Sequence, residues 1–308
     1  MVCHHPLSAY RITNPDGTVK MKVMGSVFDF DEFKKLEPYY NANGQYFEPL
    51  ILPCGQCAGC RLERSRTWAV RCIHEAQLHD ENCFLTLTYD DAYLPDDDSL
   101  HKDHLTKFWK RLRKSLGDVK IRYFACGEYG SKFFRPHYHA IVFGYWPSDA
   151  KLFNIRHGTE LYVSDTIARL WPFGFHTVGA VSFESAAYVA RYVLKKVNGK
   201  FADFVYDGLE PEYVVMSRKP GIAYDWIKRF HGDVYPHDFI VVRDKFKCRP
   251  PRYYDKIYDE ECDGDLQYIK NKRMDNHMSL SWSDIKRDEE FTETILKTKL
   301  KRNLDDNI

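Results

Sequence analysis

Two histidines spaced two apart, His137 and His139, lie in the run Arg135-Pro136-His137-Tyr138-His139-Ala140-Ile141-Val142-Phe143-Gly144. A β-strand repeats every two residues, so both imidazoles fall on one face and can serve as two ligands of a divalent cation. Glu128 closes the preceding apolar segment. If the two segments pair as a hairpin, Glu128 stands near His137 and completes a set of two nitrogens and one carboxylate. That set suits Mg²⁺ or Mn²⁺, and Zn²⁺ accepts the same donors. The spacing fits equally two histidines satisfied within a core and a carboxylate solvated at a loop mouth. Tyr188 and Tyr192 are four apart, and on a helix they share a face. Lys195 and Lys196 follow beside the same stripe. Two phenols flanked by ammonium groups next to a metal could attack a phosphate whose developing charge the cations offset. The same spacing also describes two tyrosines that pack a helix on a sheet. Cys54, Cys57 and Cys60 form C-x-x-C-x-x-C, which can offer three thiolates to one Zn²⁺. A fourth ligand must come from elsewhere, with Cys3 the first choice and His4, His5 or Cys72 as substitutes. An iron–sulfur cluster or free thiols are the other readings, although the later Cys-Pro of bacterial ferredoxins is missing.

Holding these groups in place takes strands and helices. Residues 83–89 are β-rich and lead into an acidic loop. Leu105, Phe108, Trp109, Leu112 and Leu116 make the clearest helical stripe, with Lys107, Lys110, Arg111, Arg113 and Lys114 off the stripe and Gly117 as terminator. The spacing predicts strands over 120–128, 137–143 and 175–183. It predicts helices over 61–79, 163–170 and 184–197. From 254 onward the chain is polar, with little periodicity until a last helix near 288–303. Helices interspersed with short strands give an α+β class with a sheet that is at least partly antiparallel. The chain divides into an N-terminal segment 1–60 with the zinc-type cysteines, a domain over 61–253, and a polar tail over 254–308.

Composition limits the function. The 308 residues are 44% hydrophobic and 29% charged, which is too apolar for disorder. No run reaches the roughly eighteen apolar residues of a membrane helix, so no membrane partner is expected. The opening residues lack the basic start and apolar stretch of a secretory signal, and nine cysteines then fit a reducing compartment. With 45 basic against 44 acidic residues, only local patches can hold nucleic acid. Candidates are Arg61, Arg64 and Arg66; Lys107, Lys110, Arg111 and Lys114; and Lys245, Lys247, Arg249 and Arg252. Lys196 joins them beside the tyrosines, and Trp109, Tyr253 and Tyr254 are available for base stacking. No Gly-x-x-x-x-Gly-Lys-Ser/Thr is present, so no fused helicase is expected.

The order of these motifs resembles the HUH endonucleases, the nickases that start rolling-circle replication and conjugation. Phe84-Leu85-Thr86-Leu87-Thr88-Tyr89 matches their strand motif, His137-Tyr138-His139 their metal motif, and the segment from Tyr188 to Lys195 their tyrosine motif. The two-tyrosine spacing, Cys3, the 53–61 cysteine run and Met216-Ser217-Arg218-Lys219-Pro220-Gly221-Ile222 resemble the replication initiation proteins of gokushoviruses within the Microviridae. The resemblance spans about residues 1–230. It implies an RRM-like or palm-type antiparallel sheet of about five strands, with the histidines on a central strand. It also implies Mg²⁺ or Mn²⁺ at His137, His139 and Glu128, and structural Zn²⁺ at the cysteines. Tyr192 with Lys195, and Tyr188 with Arg191, would be alternating nucleophiles that hold origin DNA as a 5′-phosphotyrosine. Implied partners are single-stranded DNA at a phage origin and a host helicase and polymerase, in the host bacterial cytoplasm. A plasmid initiator or mobilisation relaxase would use the same chemistry. A non-catalytic nucleic-acid-binding module and a small zinc hydrolase are the readings from other classes.

Overall fold

In the computed structural model of the chain, the described residues are 3–27, 30–33, 35–130, 133–156, 158–195, 202–243, 246–262, 264–278 and 282–305. They fall into two compact units, Met1–Glu63 with Asn271–Ile308, and Arg64–Lys270. In the first, β1 (Leu7–Thr13) pairs antiparallel with β2 (Val19–Ser26) across the Asn14-Pro15-Asp16-Gly17 turn. A single helical turn, α1 (Phe30–Phe33), is followed by β3 (Tyr39–Tyr40) and β4 (Tyr46–Leu52), and the sheet runs β2-β1-β4-β3. Asp16 Oδ1 accepts from the Thr18 N–H at 2.9 Å, and Asn41 Oδ1 accepts from the Asn43 and Gln45 N–H groups at 3.0 Å. These short acids and amides close the turns by mimicking backbone acceptors. The cysteine run leads into α2 (Ala58–Ala76).

The second unit is built on one large sheet. Its elements are β5 (Asn82–Thr88), α3 (Lys102–Leu116), β6 (Arg122–Tyr129), β7 (Pro136–Phe143), β8 (Lys151–Arg156), β9 (Thr159–Val163), α4 (Asp165–Leu170), β10 (His176–Ala180), α5 (Phe183–Lys195), α6 (Ala202–Tyr206) and β11 (Tyr213–Met216). After them come α7 (Tyr224–Val234), the hairpin β12 (Ile240–Arg243) with β13 (Phe246–Cys248), α8 (Arg252–Glu261) and α9 (Leu266–Met278); α10 (Trp282–Asp305) belongs to the first unit. The strand order is β11-β6-β7-β5-β10-β9-β8, antiparallel at every pairing. The class is α+β, a broad antiparallel sheet flanked by helices, with β7 inside it.

Period-two alternation sends side chains to two faces. On one, Phe124, Cys126, Ile141 and Phe143 pack against Ala69, Val70 and Cys72 of α2, Ala186, Val189 and Ala190 of α5, Ile227 of α7, and Tyr254 and Ile257 of α8. On the other, Leu85, Leu87, Tyr138, Ala140 and Val142 meet Leu105, Phe108, Trp109 and Leu112 of α3 and Ile167 of α4. Each fully buried large apolar side chain contributes about 1.5–3 kcal/mol relative to exposure.

The differences from expectation have physical causes. The sheet has seven strands rather than five, because β8 is exposed along its whole length and carries no alternation to read. Val163 ends a strand instead of opening a helix; Ser164 caps α4 by accepting from the Ile167 N–H at 3.1 Å. The polar tail is helical from its start. Tyr254 and Ile257 in α8, and Leu266 and Ile269 in α9, are buried, but each pair fills about one turn and is too short to set a period. Trp109 and Tyr254 are 3% and 0% exposed and so are core residues, not stacking surfaces. Cys72 is likewise buried in the core, away from any shared ligand role with Cys54. Among the described residues no helix is long and apolar enough to cross a membrane.

Candidate active site

The register of the β6–β7 hairpin sets Glu128 opposite His137 and Cys126 opposite His139. On the other side of β7, β5 brings Thr88 opposite His137 and Thr86 opposite His139. Glu128, both histidines and both threonines therefore share one face at one end of the sheet. Glu128 is 1% and His139 5% exposed, and His137 sits nearer the rim. Glu128 Oε1 lies 2.7 Å from His137 Nε2 and 3.0 Å from His139 Nε2. Burial pushes the Glu128 carboxyl up, but hydrogen bonds from His137 and His139 outweigh it and hold the group down at about 2.

The outer nitrogens are held too. His139 Nδ1 is 3.0 Å from Thr86 Oγ1, and His137 Nδ1 is 3.2 Å from the Arg135 carbonyl. A carbonyl only accepts, so the Arg135 contact selects the Nδ1–H tautomer of His137 and leaves a lone pair on Nε2. That lone pair faces a carboxylate oxygen. Two acceptors at such a distance need a shared proton or a cation between them, and this donor set fits a divalent ion.

Helix α5 brings Tyr188 to this cluster. Ala186, Val189 and Ala190 seat the helix in the core. The Tyr188 ring stands edge-on to His139, centroids 5.0 Å apart at 86°, and 6.3 Å from Phe84. The backbone of α5 continues through Tyr192 to Lys195. The side chains of Arg191, Tyr192 and Lys195, and the whole of Lys196 and Lys245, lie outside the described residues.

A second group forms in the N-terminal unit. The sulfurs of Cys3, Cys54, Cys57 and Cys60 all lie within 4.8 Å of one another. The Cys3 and Cys57 sulfurs are 3.9 Å apart, close to the roughly 3.8 Å edge of a tetrahedron with 2.3 Å zinc–sulfur bonds. Backbone N–H groups of Cys54, Cys57 and His4 point at the sulfurs of Cys3, Cys54 and Cys57 at 3.2, 3.3 and 3.4 Å. Burial raises the Cys60 thiol to about 11. At Cys54 burial also pushes upward, but N–H donation from Cys57 and Gln56 brings the thiol below its ordinary value. His4 and His5 turn instead to Asp288 and Glu289, at 3.3 and 2.7 Å.

The basic residues of α3 are not brought to the histidines, because α3 covers the opposite face of the sheet. Lys107 pairs with Asp103 at 2.7 Å, Lys110 is exposed, and Arg111 Nε donates to the Leu170 carbonyl at 2.8 Å at the end of α4. Arg61 is half-buried and Arg64 exposed on α2. Sequence reasoning did not single out Thr86 or the Arg135 carbonyl as orienting groups. The strand period alone could have found Thr86, once β5 was paired with the His-x-His strand. A third cluster, His101, Asp103 and His104, was also missed. His104 Nδ1 is 2.8 Å from the Tyr89 hydroxyl, which is 2.8 Å from the Tyr138 hydroxyl.

The family of replication-associated proteins of the ORF2 type matches residues 82–197, the stretch from β5 to just past α5. Replication-associated protein ORF2 of Spiroplasma virus 4 is 36% identical over 248 residues, 76% of each chain. The chain belongs to the phage replication-associated proteins. Two further replication-associated proteins agree. VP4 of Bdellovibrio phage phiMH2K is 37% identical over 67% of each chain, and ORF4 of Chlamydia phage 1 is 32% identical over 80% of this chain and 62% of its own. The resemblance to gokushovirus replication initiators thus holds at the level of family. No solved structure matches this replication-associated protein.

Proposed function

We propose that this replication-associated protein is a metal-dependent, single-strand-specific DNA nickase and strand transferase of the HUH type that initiates rolling-circle replication of a phage genome. One observation carries the reading: two imidazole nitrogens and a buried carboxylate oxygen converge on one point, with the Tyr188 ring against the same imidazole. Family membership supplies the substrate class, since the relatives are named for replication. The sheet is then of the palm or RRM-like type, the endonuclease domain is 61–253, and the four cysteines hold a structural Zn²⁺.

A divalent ion, Mg²⁺ or Mn²⁺, held by His137, His139 and Glu128 would polarise the scissile phosphate and offset the charge that grows on it. The protein's own groups do the rest. Thr86 and the Arg135 carbonyl fix the imidazole tautomers, and hydrogen bonds from the two histidines keep the buried Glu128 anionic. The phenol oxygen of one tyrosine attacks phosphorus and loses its proton to solvent. The bond to O3′ breaks, the 3′ oxygen leaves as a hydroxyl, and the 5′ phosphate stays on the tyrosine. Lys195 offsets charge on the phosphate, and Lys196, Arg61, Arg64, Lys107, Lys110 and Arg111 are the candidate phosphate contacts. After one round, the second of Tyr188 and Tyr192 attacks the regenerated origin, and the displaced strand is rejoined as a circle. A host polymerase extends the 3′ hydroxyl and a host helicase unwinds, in the bacterial cytoplasm.

The test is adduct formation on single-stranded origin oligonucleotides with Mn²⁺, read on a denaturing protein gel. The reading expects an adduct that carries the 3′-labelled fragment and is absent without metal or in Glu128→Ala. Cleavage without an adduct would assign attack to water instead. Binding with neither cleavage nor adduct would leave a binding module.

A further inference from the structure

The sheet face that carries Glu128, His137 and His139 is covered over only part of its width. Helices α2, α5, α7 and α8 pack on β6, β7 and β11, and among the described residues no residue of β8, β9 or β10 enters that core. Beyond the helices, two aromatic side chains stand in solvent. Phe175 is 48% and Phe153 55% exposed, and their rings lie 5.3 Å apart at 56°.

Register ties this pair to the metal cluster. Thr88 faces His137, and its N–H and hydroxyl both donate to the Phe175 carbonyl, at 2.9 and 3.0 Å. Phe175 therefore stands two strands from His137, about 10 Å across the sheet. Gly174 fixes it there. A Cβ at that position would meet Asp90 N at 2.3 Å and Thr88 O at 2.6 Å, so only glycine lets the chain close on β5. Thr86 and Thr177 are directly paired on the same face, between the histidines and the open side. Arg156, exposed at the end of β8, supplies a positive charge beyond it.

Exposed aromatics on an open antiparallel sheet are the means by which single-stranded nucleic acid is held, each ring stacking on a base without demanding its identity. We infer that Phe153 and Phe175 form a base-stacking platform for the single-stranded DNA that flanks the scissile phosphate. This deepens the nickase reading and rests on it. The exposed β8 edge, with Leu152 and Ile155, is also a template for adding a protein strand. Strand addition would use the β8 backbone and would leave Phe175, on β10's side of the sheet, without a role.

The test is fluorescence anisotropy of a labelled single-stranded oligonucleotide with no Mg²⁺ or Mn²⁺ added, so that binding is read apart from cleavage. Phe153→Ala and Phe175→Ala should each raise the Kd about tenfold, with the salt slope unchanged because no phosphate contact is lost. Phe153→Trp and Phe175→Trp should restore binding, and in the adduct assay the alanine variants should raise KM while keeping kcat. Native-like binding by the alanine variants overturns the platform, as does equal loss in the tryptophan variants. Loss of self-association with DNA binding intact assigns the surface to protein docking and also overturns it. An adduct formed by variants that bind normally refutes the platform alone. Stacking-dependent binding by a native protein that makes no adduct refutes the nickase alone.

Discussion

His137 and His139 are usable as ligands because of what their outer nitrogens touch. Thr86 orients His139, so Thr86→Val should weaken Mn²⁺ binding by about 10- to 100-fold in a metal titration while the protein stays folded. Unchanged affinity would mean that Thr86 only packs. A second histidine shows the opposite use of burial. His74 is 4% exposed, stacks on Trp226 with centroids 3.5 Å apart, and has Nδ1 2.8 Å from the Tyr254 hydroxyl. Burial pushes it down to about 3. The unfolded chain takes up this proton near pH 6.5 and the folded one only near 3, so between those values the unfolded state binds more protons. Stability attributable to His74 is therefore complete above pH 6.5 and falls with pH by up to about 1.4 kcal/mol per unit. In His74→Gln the urea midpoint should depend less steeply on pH across that window; an identical slope would refute the assignment.

At the scale of elements, the site is a hairpin, a neighbouring strand and a helix. Much of that was legible. His-x-His in a strand gives two rings on one face, a hairpin brings Glu128 to them, and Tyr188 lies on a helix that follows. The cysteine spacing pointed to a fourth sulfur, and Cys3 stands with the other three. If these four thiolates hold zinc, native mass spectrometry of the purified chain should find one Zn²⁺ per chain. Cys57→Ser should lose that ion and lower the melting temperature; a metal-free native chain with the same melting temperature would refute a structural zinc. What escaped the sequence was the side of the sheet each helix covers. The α3 stripe shows which residues are buried, but only the pairing of β5, β6 and β7 reveals that Phe108 and Leu112 cover the face opposite His139. The β8–β9 hairpin escaped because its exposed Leu152, Phe153 and Ile155 break the rule that apolar side chains alternate inward.

At the scale of the whole molecule, family membership and the geometry of one site meet in a single chemical claim: a tyrosine of α5 becomes the covalent partner of DNA. Relatives from three phages match most of this chain, and the matched family segment ends just past the helix that bears Tyr188. A non-catalytic origin binder in the same family would need the fold and the DNA surface but neither phenol. The most direct measurement is peptide mapping by mass spectrometry of the protein after reaction with a single-stranded origin oligonucleotide and Mn²⁺. The account predicts a 5′-phosphoryl nucleotide on the peptide containing Tyr188 or Tyr192, lost when both are changed to phenylalanine and absent in His137→Ala. Cleaved DNA with free 5′ phosphates and an unmodified Tyr188–Tyr192 peptide would contradict it.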